Sequence, residues 1–438
     1  MKKIFFYSFL FLLSFNLFIA QEQTGSFFKD AKVNYEKQLD FNPDEAVAFE
    51  NHTFLIQHRN ESQIPILVNV DNAGNKIFRK EFDTFIGDFS TTEDGSIIAV
   101  SVPQPYDEQN CYYCVDYYTH IYDNQGTLIS KIKTPTFHTK ISKDGNYLIT
   151  TKVEEGEQEG RFEVFDVNTS EKIQLPFEKK YSYFHADFIS SAKVVLLTHH
   201  YSRTRDKTQP RKSRKAVKLK KMVDSLTIFD LTTNTVEVSK EIRYSKTNFF
   251  STNQNKKSIW VSPNGDKIFI TGANKSPIEK PSLQRNVLLA LNVKGETIWE
   301  KSFEENNEFE SVEDLEFLDN NIVLILKFGI INSELKLINT QDGKENWNYK
   351  LGPKFSGKLR GFVIDESDST LMVDLNLRAD ESGLGQKVKK DVMEFDLIRG
   401  ELLNQVKGIS VLSKSRKYLV IKDAANIIRS IQNEEVKK

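Results

Sequence analysis

Cysteine is scarce in this chain: its 438 residues include only Cys111 and Cys114. A fold that depends on a disulfide framework needs several pairs, so the sequence excludes that class. A tetrahedral zinc site would need further Cys or His ligands, and no second pair of this kind is present. Covalent haem attachment needs a histidine directly after the second cysteine, where this chain has Val115.

The motifs of the common enzyme classes are also missing. The chain has no Gly-x-Ser-x-Gly elbow, no phosphate-binding Walker loop and no His-Glu-x-x-His zinc motif. His185, His199 and His200 lie in one region, but adjacent residues of a strand lie on opposite faces and make a poor metal site. We therefore predict no catalytic residue, no metal site and no cofactor.

Neither charge sign is in excess. Lys and Arg number 60 and Asp and Glu number 61, which gives a net charge of −1. A balanced total gives no support to a nucleic-acid partner, and we expect none. Beyond residue 20 no run of about 18 apolar residues occurs, so we expect a soluble, monomeric mature chain without a transmembrane segment.

The N-terminus carries the one long apolar run. Two lysines precede residues 4–20, which are almost wholly apolar, and Ala20 stands before Gln21. This pattern is typical of a secretory signal peptide over residues 1–20, although Phe18 departs from the usual cleavage pattern. An uncleaved anchor is the alternative. Export predicts a secreted or periplasmic protein, and in an oxidising compartment we expect Cys111 and Cys114 to form a disulfide.

A turn of the form Ser/Thr-x-Asp/Asn-Gly recurs along the chain, each time before a strand-like segment. Asp-Gly and Asn-Gly supply the positive φ angles that a tight hairpin turn needs. We expect this turn to join the two middle strands of a repeating unit. The full copies are Thr92-Glu93-Asp94-Gly95, Ser142-Lys143-Asp144-Gly145 and Ser262-Pro263-Asn264-Gly265.

A second pattern is an apolar strand that ends in Asp or Asn and is followed by a turn and another strand. Examples are Asp71-Asn72-Ala73-Gly74, Asp123-Asn124-Gln125-Gly126 and Asn292-Val293-Lys294-Gly295. We expect it to join the outer pair of strands. The two patterns together predict four antiparallel strands per unit.

The units start near residues 45, 88, 138, 185, 258, 313, 360 and 408, and most spacings are about 43 to 55 residues. This period, without helical segments, predicts an all-β chain and favours a β-propeller of four-stranded antiparallel blades over a pair of β-sandwiches. The count favours eight blades, with seven as the alternative. Residues 21–438 would form a single domain, in which an N-terminal strand within residues 27–39 joins the last unit and closes the ring.

Particular motifs resemble those of known propeller families. Gly295-Glu296-Thr297-Ile298-Trp299 and Gly343-Lys344-Glu345-Asn346-Trp347 resemble the blade endings of PQQ-like repeats. The Ser-x-Asp-Gly turns resemble those of the WD40 (YVTN)-like group. The resemblance implies a propeller fold, which serves unrelated functions. A quinoprotein relative would imply a quinone cofactor and calcium in a central channel, and no residue here can be assigned to either.

The first of two inserted segments covers residues 102–118 and is rich in tyrosine. Its Cys-x-x-Cys is compatible with a redox dithiol, half of a metal site or a disulfide that stiffens the loop. A disulfide would hold the candidate binding residues Tyr106, Tyr112 and Tyr113 rigid at the edge of a blade, where aromatic side chains suit ligand or protein contact. The alternative is that these tyrosines only pack the loop onto its neighbour.

The second inserted segment is a predicted loop over residues 201–221. Residues 203–221 include ten Lys or Arg and a single Asp206. Arg211, Lys212, Arg214 and Lys215 are candidate contacts to an anionic surface such as lipopolysaccharide or an acidic polysaccharide. The alternative is a solvated loop that binds nothing.

Together these features predict an exported, non-catalytic propeller that binds another macromolecule through one face. The partner would be a protein or an anionic polysaccharide of the cell envelope. A quinoprotein-like oxidoreductase and a propeller-type carbohydrate-active enzyme remain the alternatives.

Overall fold

The computed structural model describes most of the chain and, for some strand residues, the backbone alone. The described residues are 32–58, 64–104, 117–135, 138–153, 160–175, 183–205, 217–242, 259–272, 287–305, 308–318, 320–328, 332–351, 355–365, 370–378, 388–407, 409–412, 418–423 and 426–432.

The described residues are organised as β-strands joined by turns. The first strands are β1 (Lys32–Gln38), β2 (Glu45–Ala48), β3 (His52–Gln57), β4 (Ile66–Asp71), β5 (Lys76–Glu81), β6 (Asp88–Thr91), β7 (Ile97–Pro103), β8 (Tyr117–Asp123), β9 (Leu128–Thr134), β10 (Thr139–Ile141) and β11 (Tyr147–Val153). They are followed by β12 (Gly160–Asp166), β13 (Tyr183–Phe188), β14 (Lys193–Arg205), β15 (Val217–Asp230), β16 (Thr235–Ile242), β17 (Ile259–Val261), β18 (Lys267–Gly272), β19 (Val287–Asn292), β20 (Thr297–Ser302), β21 (Glu304–Glu305) and β22 (Glu308–Leu318). The last are β23 (Asn321–Phe328), β24 (Asn332–Asn339), β25 (Glu345–Lys350), β26 (Phe355–Asp365), β27 (Thr370–Arg378), β28 (Val388–Asp396), β29 (Leu402–Lys407), β30 (Ile409–Val411), β31 (Tyr418–Asp423) and β32 (Ile427–Gln432).

These strands form antiparallel sheets in which neighbours in sequence are neighbours in space. The four-stranded sheets are β2-β3-β4-β5, β6-β7-β8-β9, β13-β14-β15-β16, β17-β18-β19-β20, β26-β27-β28-β29 and β1-β32-β31-β30. A three-stranded sheet, β10-β11-β12, and a five-stranded sheet, β21-β22-β23-β24-β25, complete the described set. The sheets begin close to the predicted unit starts, so the repeat period in the sequence located them correctly.

The sheet β10-β11-β12 departs from the expected four strands. After β12 the chain makes one bridge, between Phe165 and Lys172, and the Ile173 N–H donates to the Val164 carbonyl over 2.8 Å. Pro176 follows in the sequence and has no N–H to donate to a ladder. A regular fourth strand here would therefore be short.

The position of the first turn pattern differs from the prediction. Thr92-Glu93-Asp94-Gly95 joins β6 to β7, the first and second strands of a sheet, and not the two middle strands. The second pattern joins the third and fourth strands, as expected: Asp123-Asn124-Gln125-Gly126 lies between β8 and β9. Strands alternate in direction along a sheet. Both short turns therefore lie at one end of the strands, and the connection between the middle strands begins and ends at the opposite end.

The chemistry of the first turn explains its composition. The Thr92 hydroxyl donates to the Asp94 carboxylate over 2.8 Å and accepts the Ile97 N–H over 3.1 Å. Gly95 has φ of 73°, in the region that favours glycine. In the equivalent turn the Tyr147 N–H donates to the Ser142 hydroxyl over 3.0 Å. A Ser or Thr in the first position therefore satisfies a backbone donor in the following strand.

The middle strands carry the core. Every residue of β3 is buried, as are five of the six residues of β19. The outer strand β9 alternates exposed and buried residues after its first position. A strand that is covered on both faces has a continuous apolar sequence, which is why the middle strands read as unbroken hydrophobic runs. Buried residues of β14, β15, β18 and β19 form one such core between two sheets.

The chain divides into two compact units. One comprises residues 1–54, 70–75 and 359–438, and the other comprises residues 55–69 and 76–358. In the first unit, β1 pairs with β32 in antiparallel register from Lys32 opposite Gln432 to Gln38 opposite Ile427. The N-terminal segment thus supplies the outer strand of the C-terminal sheet, as the sequence predicted.

Removal of residues 21–39 should lower the melting temperature by several degrees, because it exposes the edge of β32 and removes the packing of Tyr35, which is buried. Thermal unfolding followed by circular dichroism measures this change. Removal of residues 433–438, which follow β32, is the matched truncation and should leave the melting temperature unchanged. Equal stability of the 21–39 deletion and the parent would contradict the structural role of β1.

Ser142→Ala should destabilise the protein by about 1–3 kcal/mol, because Ser142 is buried and its loss leaves the N–H of Tyr147 without its hydroxyl acceptor. Ser239→Ala, at an exposed position of β16, is the control and should change the free energy of unfolding by less than about 0.5 kcal/mol. Chemical denaturation of both variants makes the comparison. Similar small effects for the two substitutions would show that the hydroxyl is not structural.

Candidate functional site

An open cavity of about 260 Å³ lies in the unit that contains residues 76–358. Five strands meet there near the ends that enter the short turns: β6, β10, β13 and β17, which are the first strands of their sheets, and β22, which is the second strand of its sheet. The lining residues are Ser90, Thr91, Glu93, Lys140, Ile141, Lys143, Asp187, Phe188, Trp260, Val261, Ser262, Pro263, Leu315, Glu316 and Phe317.

The rim of the cavity is built from the variable position of the repeated turn. Glu93, Lys143 and Pro263 each occupy the second place of the Ser/Thr-x-Asp/Asn-Gly pattern. The Glu93 N–H donates to the Lys143 carbonyl over 3.2 Å, and the Lys143 ammonium lies 3.4 Å from the Glu93 carboxylate. Lys143 Nζ also donates to the Pro263 carbonyl over 2.6 Å. The turns of separate sheets are therefore linked to one another.

The floor of the cavity is apolar. Ile141, Phe188, Trp260 and Leu315 are buried. Phe317 is half-buried, and its ring lies 5.4 Å from that of Phe269 in a T-shaped arrangement. These contacts fix the aromatic rings, so the floor is preorganised and not created by a ligand.

An ion pair crosses the cavity wall between β10 and β13. The Lys140 ammonium donates to the Asp187 carboxylate. The Asp187 side chain is 6% exposed, whereas that of Lys140 is 40% exposed. Asp187 also accepts the Phe188 N–H over 2.7 Å. A carboxylate this deeply buried needs such partners, because an uncompensated buried charge is costly.

The carboxyl group of Asp94, in the same turn as Glu93, is held in its ionised form by hydrogen bonds. The Ser96 N–H, with the hydroxyls of Ser96 and Thr92, lowers the pKa of Asp94 from its ordinary value, and partial burial opposes this effect. Because the pKa is lower in the folded state, this carboxylate contributes stability above its unfolded pKa. That contribution is lost as the pH falls through the folded pKa. The rim turn therefore keeps its hydrogen bonds at neutral pH.

Comparison with solved structures gives the fold. BamB from Moraxella catarrhalis is 9% identical with a TM-score of 0.51, and the match covers 92% of this chain and 100% of that chain. The C-terminal WD40 domain of Sif2 is 10% identical with a TM-score of 0.51 and coverages of 92% and 99%. Dihydro-heme d1 dehydrogenase NirN, in complex with DHE, is 11% identical with a TM-score of 0.52 and coverages of 91% and 78%.

The fold is that of a β-propeller. No protein-family model and no curated protein matches the chain. At these identities the likeness shows architecture and carries no function to this propeller.

The tyrosine-rich segment lies mostly outside the described residues, which include neither Cys111 and Cys114 nor the tyrosines at 106, 112 and 113. The expected bounds of 102–118 were too wide. Val102 pairs with Tyr118 and Pro103 with Tyr117, so both ends of the predicted loop belong to β7 and β8. Valine and tyrosine suit strands, and the ladder continues to the last pair.

The basic segment also differs from its prediction. A loop was expected over residues 201–221, but β14 continues to Arg205 and β15 begins at Val217, and the two pair up to Arg205 opposite Val217. Thr204, Val217 and Leu219 are among the strand-compatible residues that interrupt the charges. The candidate contacts Arg211, Lys212, Arg214 and Lys215 lie outside the described residues.

The histidines and carboxylates offer no cation site in the described part of the propeller. His199 and His200 are consecutive residues of β14 and so lie on opposite faces of the strand. In the described ranges no group of three or more His, Cys, Asp or Glu is arranged to hold a metal ion. The described part of the chain also has no helix that is long and apolar enough to cross a membrane.

The sequence did not single out the cavity residues. Lys140, Asp187 and Trp260 lie in first strands, which carry no motif of their own. One signal was available: the turn pattern repeats, and in a propeller equivalent positions of successive units lie at the same edge. Glu93, Lys143 and Pro263 could have been grouped on that basis.

Lys140→Met should lower the free energy of unfolding by about 1–3 kcal/mol, because it leaves the Asp187 carboxylate buried without its cation. The loss is smaller than for a fully buried pair because Lys140 is itself partly exposed. The matched control is Lys193→Met. It breaks an ion pair with Glu237 in which both side chains are 39% exposed, and such pairs contribute about 1 kcal/mol or less. Urea unfolding of both variants gives the difference, and equal losses would contradict a structural role for the Lys140–Asp187 pair.

Proposed function

We propose that this protein is an exported β-propeller that binds a partner protein through the cavity described above. The supporting observation is a preformed apolar floor surrounded by charged turn residues. Phe188, Trp260 and Leu315 supply the floor, and Glu93 and Lys143 supply the charged rim. Residues 1–20 act as the export signal, so the protein acts outside the cytoplasm in a secreted or periplasmic form.

The size of the cavity favours a protein partner over a large small-molecule ligand. Pockets for drug-sized ligands and cofactors span about 300–1,000 Å³, whereas this cavity has about 260 Å³. A volume of this size suits one inserted side chain. Protein interfaces concentrate binding energy in such anchors, which fill an apolar pocket within a polar rim.

The charged rim supplies orientation and discrimination. Lys143 is shared between the Glu93 carboxylate and the Pro263 carbonyl, so both the cation and its anionic partner lie at the mouth. Rim charges of this kind act on encounter rate and specificity more than on raw affinity. The inserted side chain would be apolar, and its polar neighbours would face Glu93 and Lys143.

The finer architecture belongs to the same proposal. Each described sheet would be one blade, which gives eight blades, with seven as the alternative count. The pairing of β1 with β32 would close the ring, and residues 21–438 would form a single propeller domain. A blade completed from both chain ends pairs the first strand of the chain with the last, so neither is left without a partner.

The predicted loop residues would provide a second contact region. Tyr106, Tyr112 and Tyr113, held by a Cys111–Cys114 disulfide, follow β7 and so belong to the connection between middle strands. That connection begins and ends at the strand ends opposite the cavity. A partner that contacted both regions would have to span the propeller.

Filling the cavity tests the proposal. Thr91→Trp places a large side chain in the lining, and Thr297→Trp adds the same side chain at an exposed position of the outer strand β20. Affinity capture with the tagged parent protein from the envelope of the producing cell identifies enriched proteins. Each is then purified and its affinity for parent and variants is measured by calorimetry.

Thr91→Trp should weaken partner binding at least about ten-fold, the effect of losing one anchor of about 1.4 kcal/mol or more. Thr297→Trp should bind as the parent does, and both variants should keep the parent's circular dichroism spectrum. A partner that binds Thr91→Trp normally would refute the cavity as the site. Failure to capture any partner from a cell that makes the protein would count against protein binding as the function.

A further inference from the structure

Strand β5 packs beside the hairpin that β8 and β9 form in the next sheet. Phe78 lies against Gly126, in the turn of that hairpin, where an added Cβ would come within 2.6 Å of the Phe78 ring. The ring of Phe82, directly after β5, lies 5.9 Å from that of His120 in a T-shaped arrangement. Residues two apart in a strand share a face, so Lys80 also lies on the face of β5 that meets the hairpin.

Two lysines are held over tyrosine rings at this junction. Lys80 Nζ lies 5.6 Å from the centroid of the Tyr122 ring, and Lys131 Nζ lies 4.6 Å from that of the Tyr118 ring. A cation over an aromatic face is attracted by the ring, and the apolar stem of the lysine covers it. Both ammonium groups are therefore confined before any ligand arrives.

Two more lysines share these faces. Lys133 is paired with Tyr118 across the hairpin, and residues opposite each other in an antiparallel pair lie on the same face. Lys76 lies four residues before Lys80 on β5 and is exposed. We define the lysine cluster as Lys76, Lys80, Tyr118, His120, Tyr122, Lys131 and Lys133.

The lysine cluster has no carboxylate among the residues of β5, β8 and β9 that share its faces. Glu81 follows Lys80 and so lies on the opposite face of β5, where its carboxylate is 2.9 Å from the guanidinium of Arg79. Within the described ranges, neither Lys80 nor Lys131 forms an ion pair with an acidic residue. The net charge of the chain is −1, so this positive charge is local. Because like charges in one place repel each other, a bound polyanion would stabilise the arrangement.

Neutral hydrogen-bonding groups lie between the two confined lysines. His120 stands midway between the two tyrosines on β8. Burial and, to a smaller extent, the positive charge of Lys131 lower the pKa of His120 to about 4. Its imidazole is therefore uncharged at neutral pH, with one nitrogen that donates and one that accepts. Nδ1 lies 3.2 Å from the Tyr122 hydroxyl. The cluster thus offers ammonium groups at its ends and uncharged polar groups at its centre.

We propose that the lysine cluster binds an acidic polysaccharide. Carboxylates of the sugar chain would pair with the ammonium groups of Lys80 and Lys131, and its hydroxyls would form hydrogen bonds with His120 and the tyrosine hydroxyls. An acidic sugar carries both kinds of group, which matches the mixture of charged and neutral partners in the cluster. An acidic peptide supplies carboxylates without the accompanying hydroxyls. The proposal does not depend on the cavity or its partner, because no residue of the cluster lines the cavity.

The length of the cluster favours an extended ligand over a single small anion. Tyr118 and Tyr122, which lie beneath the two confined ammonium groups, are four residues apart on β8 and therefore roughly 14 Å apart. One carboxylate or phosphate cannot reach both ammonium groups at a hydrogen-bond distance of about 3 Å. A polysaccharide that lies along the strand can contact both.

The experiment uses the full chain in its mature form and an oligogalacturonate of defined length as the probe. Residues 203–221 contain ten Lys or Arg and are a second source of positive charge. Four of these residues are therefore replaced in every protein tested: Arg211→Ser, Lys212→Ser, Arg214→Ser and Lys215→Ser. Isothermal titration calorimetry gives the affinity of this reference protein, which should be highest at low salt and should fall at physiological salt because the contacts join charges.

Lys80→Met/Lys131→Met should weaken binding about ten-fold, because it removes two charges and keeps an unbranched stem over each tyrosine ring. Lys294→Met/Lys344→Met removes the same charge from exposed positions outside the cluster and should bind as the reference protein does. Lys131→Met alone, at an exposed position, should weaken binding about three-fold. Circular dichroism shows which variants are folded, and the single variant decides the question if the double variant is not.

Two further probes define the class of ligand. An oligoglutamate with the same number of carboxylates should bind about ten-fold more weakly than the oligogalacturonate, since it lacks the hydroxyls that His120 and the tyrosines would contact. Inorganic phosphate should displace the oligogalacturonate no better than chloride does at equal ionic strength.

Four results would overturn the proposal. Failure of the reference protein to bind oligogalacturonate at low salt would exclude the site. Equal affinities of Lys80→Met/Lys131→Met and its Lys294→Met/Lys344→Met control would place any binding elsewhere. Oligoglutamate binding as tight as that of oligogalacturonate would identify the cluster as a site for an acidic protein segment. Specific displacement by phosphate would show a site for one small anion.

Discussion

The hydrogen bond between a strand's first backbone N–H and the hydroxyl at the head of the preceding turn is the interaction on which this structure depends. Thr92, Ser142 and Ser262 each accept such a bond, from Ile97, Tyr147 and Lys267 respectively. The hydroxyl in turn donates to a carboxylate, so one residue type closes the turn on both sides. The bond ties the start of the second strand to the head of the turn, and the variable second residue of the turn lies between the two.

The second residue of the turn lines the cavity. Because the turn is held by its first and third or fifth residues, the second is free to vary without loss of the fold, and here it is Glu93, Lys143 or Pro263. The three meet at one mouth, where Lys143 connects two of them. The floor beneath is made of residues that the sheets bury for their own stability, such as Trp260 and Leu315. Stability and recognition thus use the same strands but different positions.

The connections at the two ends of the strands differ in length because of the topology of the sheets. At one end, short turns join the first strand to the second and the third to the fourth. The first of these turns form the rim of the cavity and are linked to one another through Lys143. At the other end lie the connections between the middle strands, which are longer than the short turns in several sheets. The strands β14 and β15 show the consequence, since their pairing continues past the last pairs that they make with β13 and β16.

The sequence by itself determined the all-β class, the repeat period and the positions at which the sheets begin, because turns and buried strands are encoded by residues that are adjacent in the chain. It also located the segment that pairs with the C-terminal sheet and two of the long segments that the structure shows to join middle strands. It misplaced the first turn pattern within the sheet, because a short turn looks the same whichever strands it joins. It also described the ends of the basic segment as a loop, because charge obscured the alternation of residues such as Thr204 and Leu219.

Only the tertiary structure decided the cavity and the register of the longest strand pair. Lys143 and Pro263 are 120 residues apart in sequence, and Lys140 and Asp187 are 47 apart. No local pattern marks such pairs, since they meet only when separate sheets are packed together. The pairing of β14 with β15 likewise contains a register shift between Ser202 and Arg203, which only the cross-strand pairing shows. Local chemistry determined the units, and the contacts between strands far apart in sequence decided which side chains of separate units lie together.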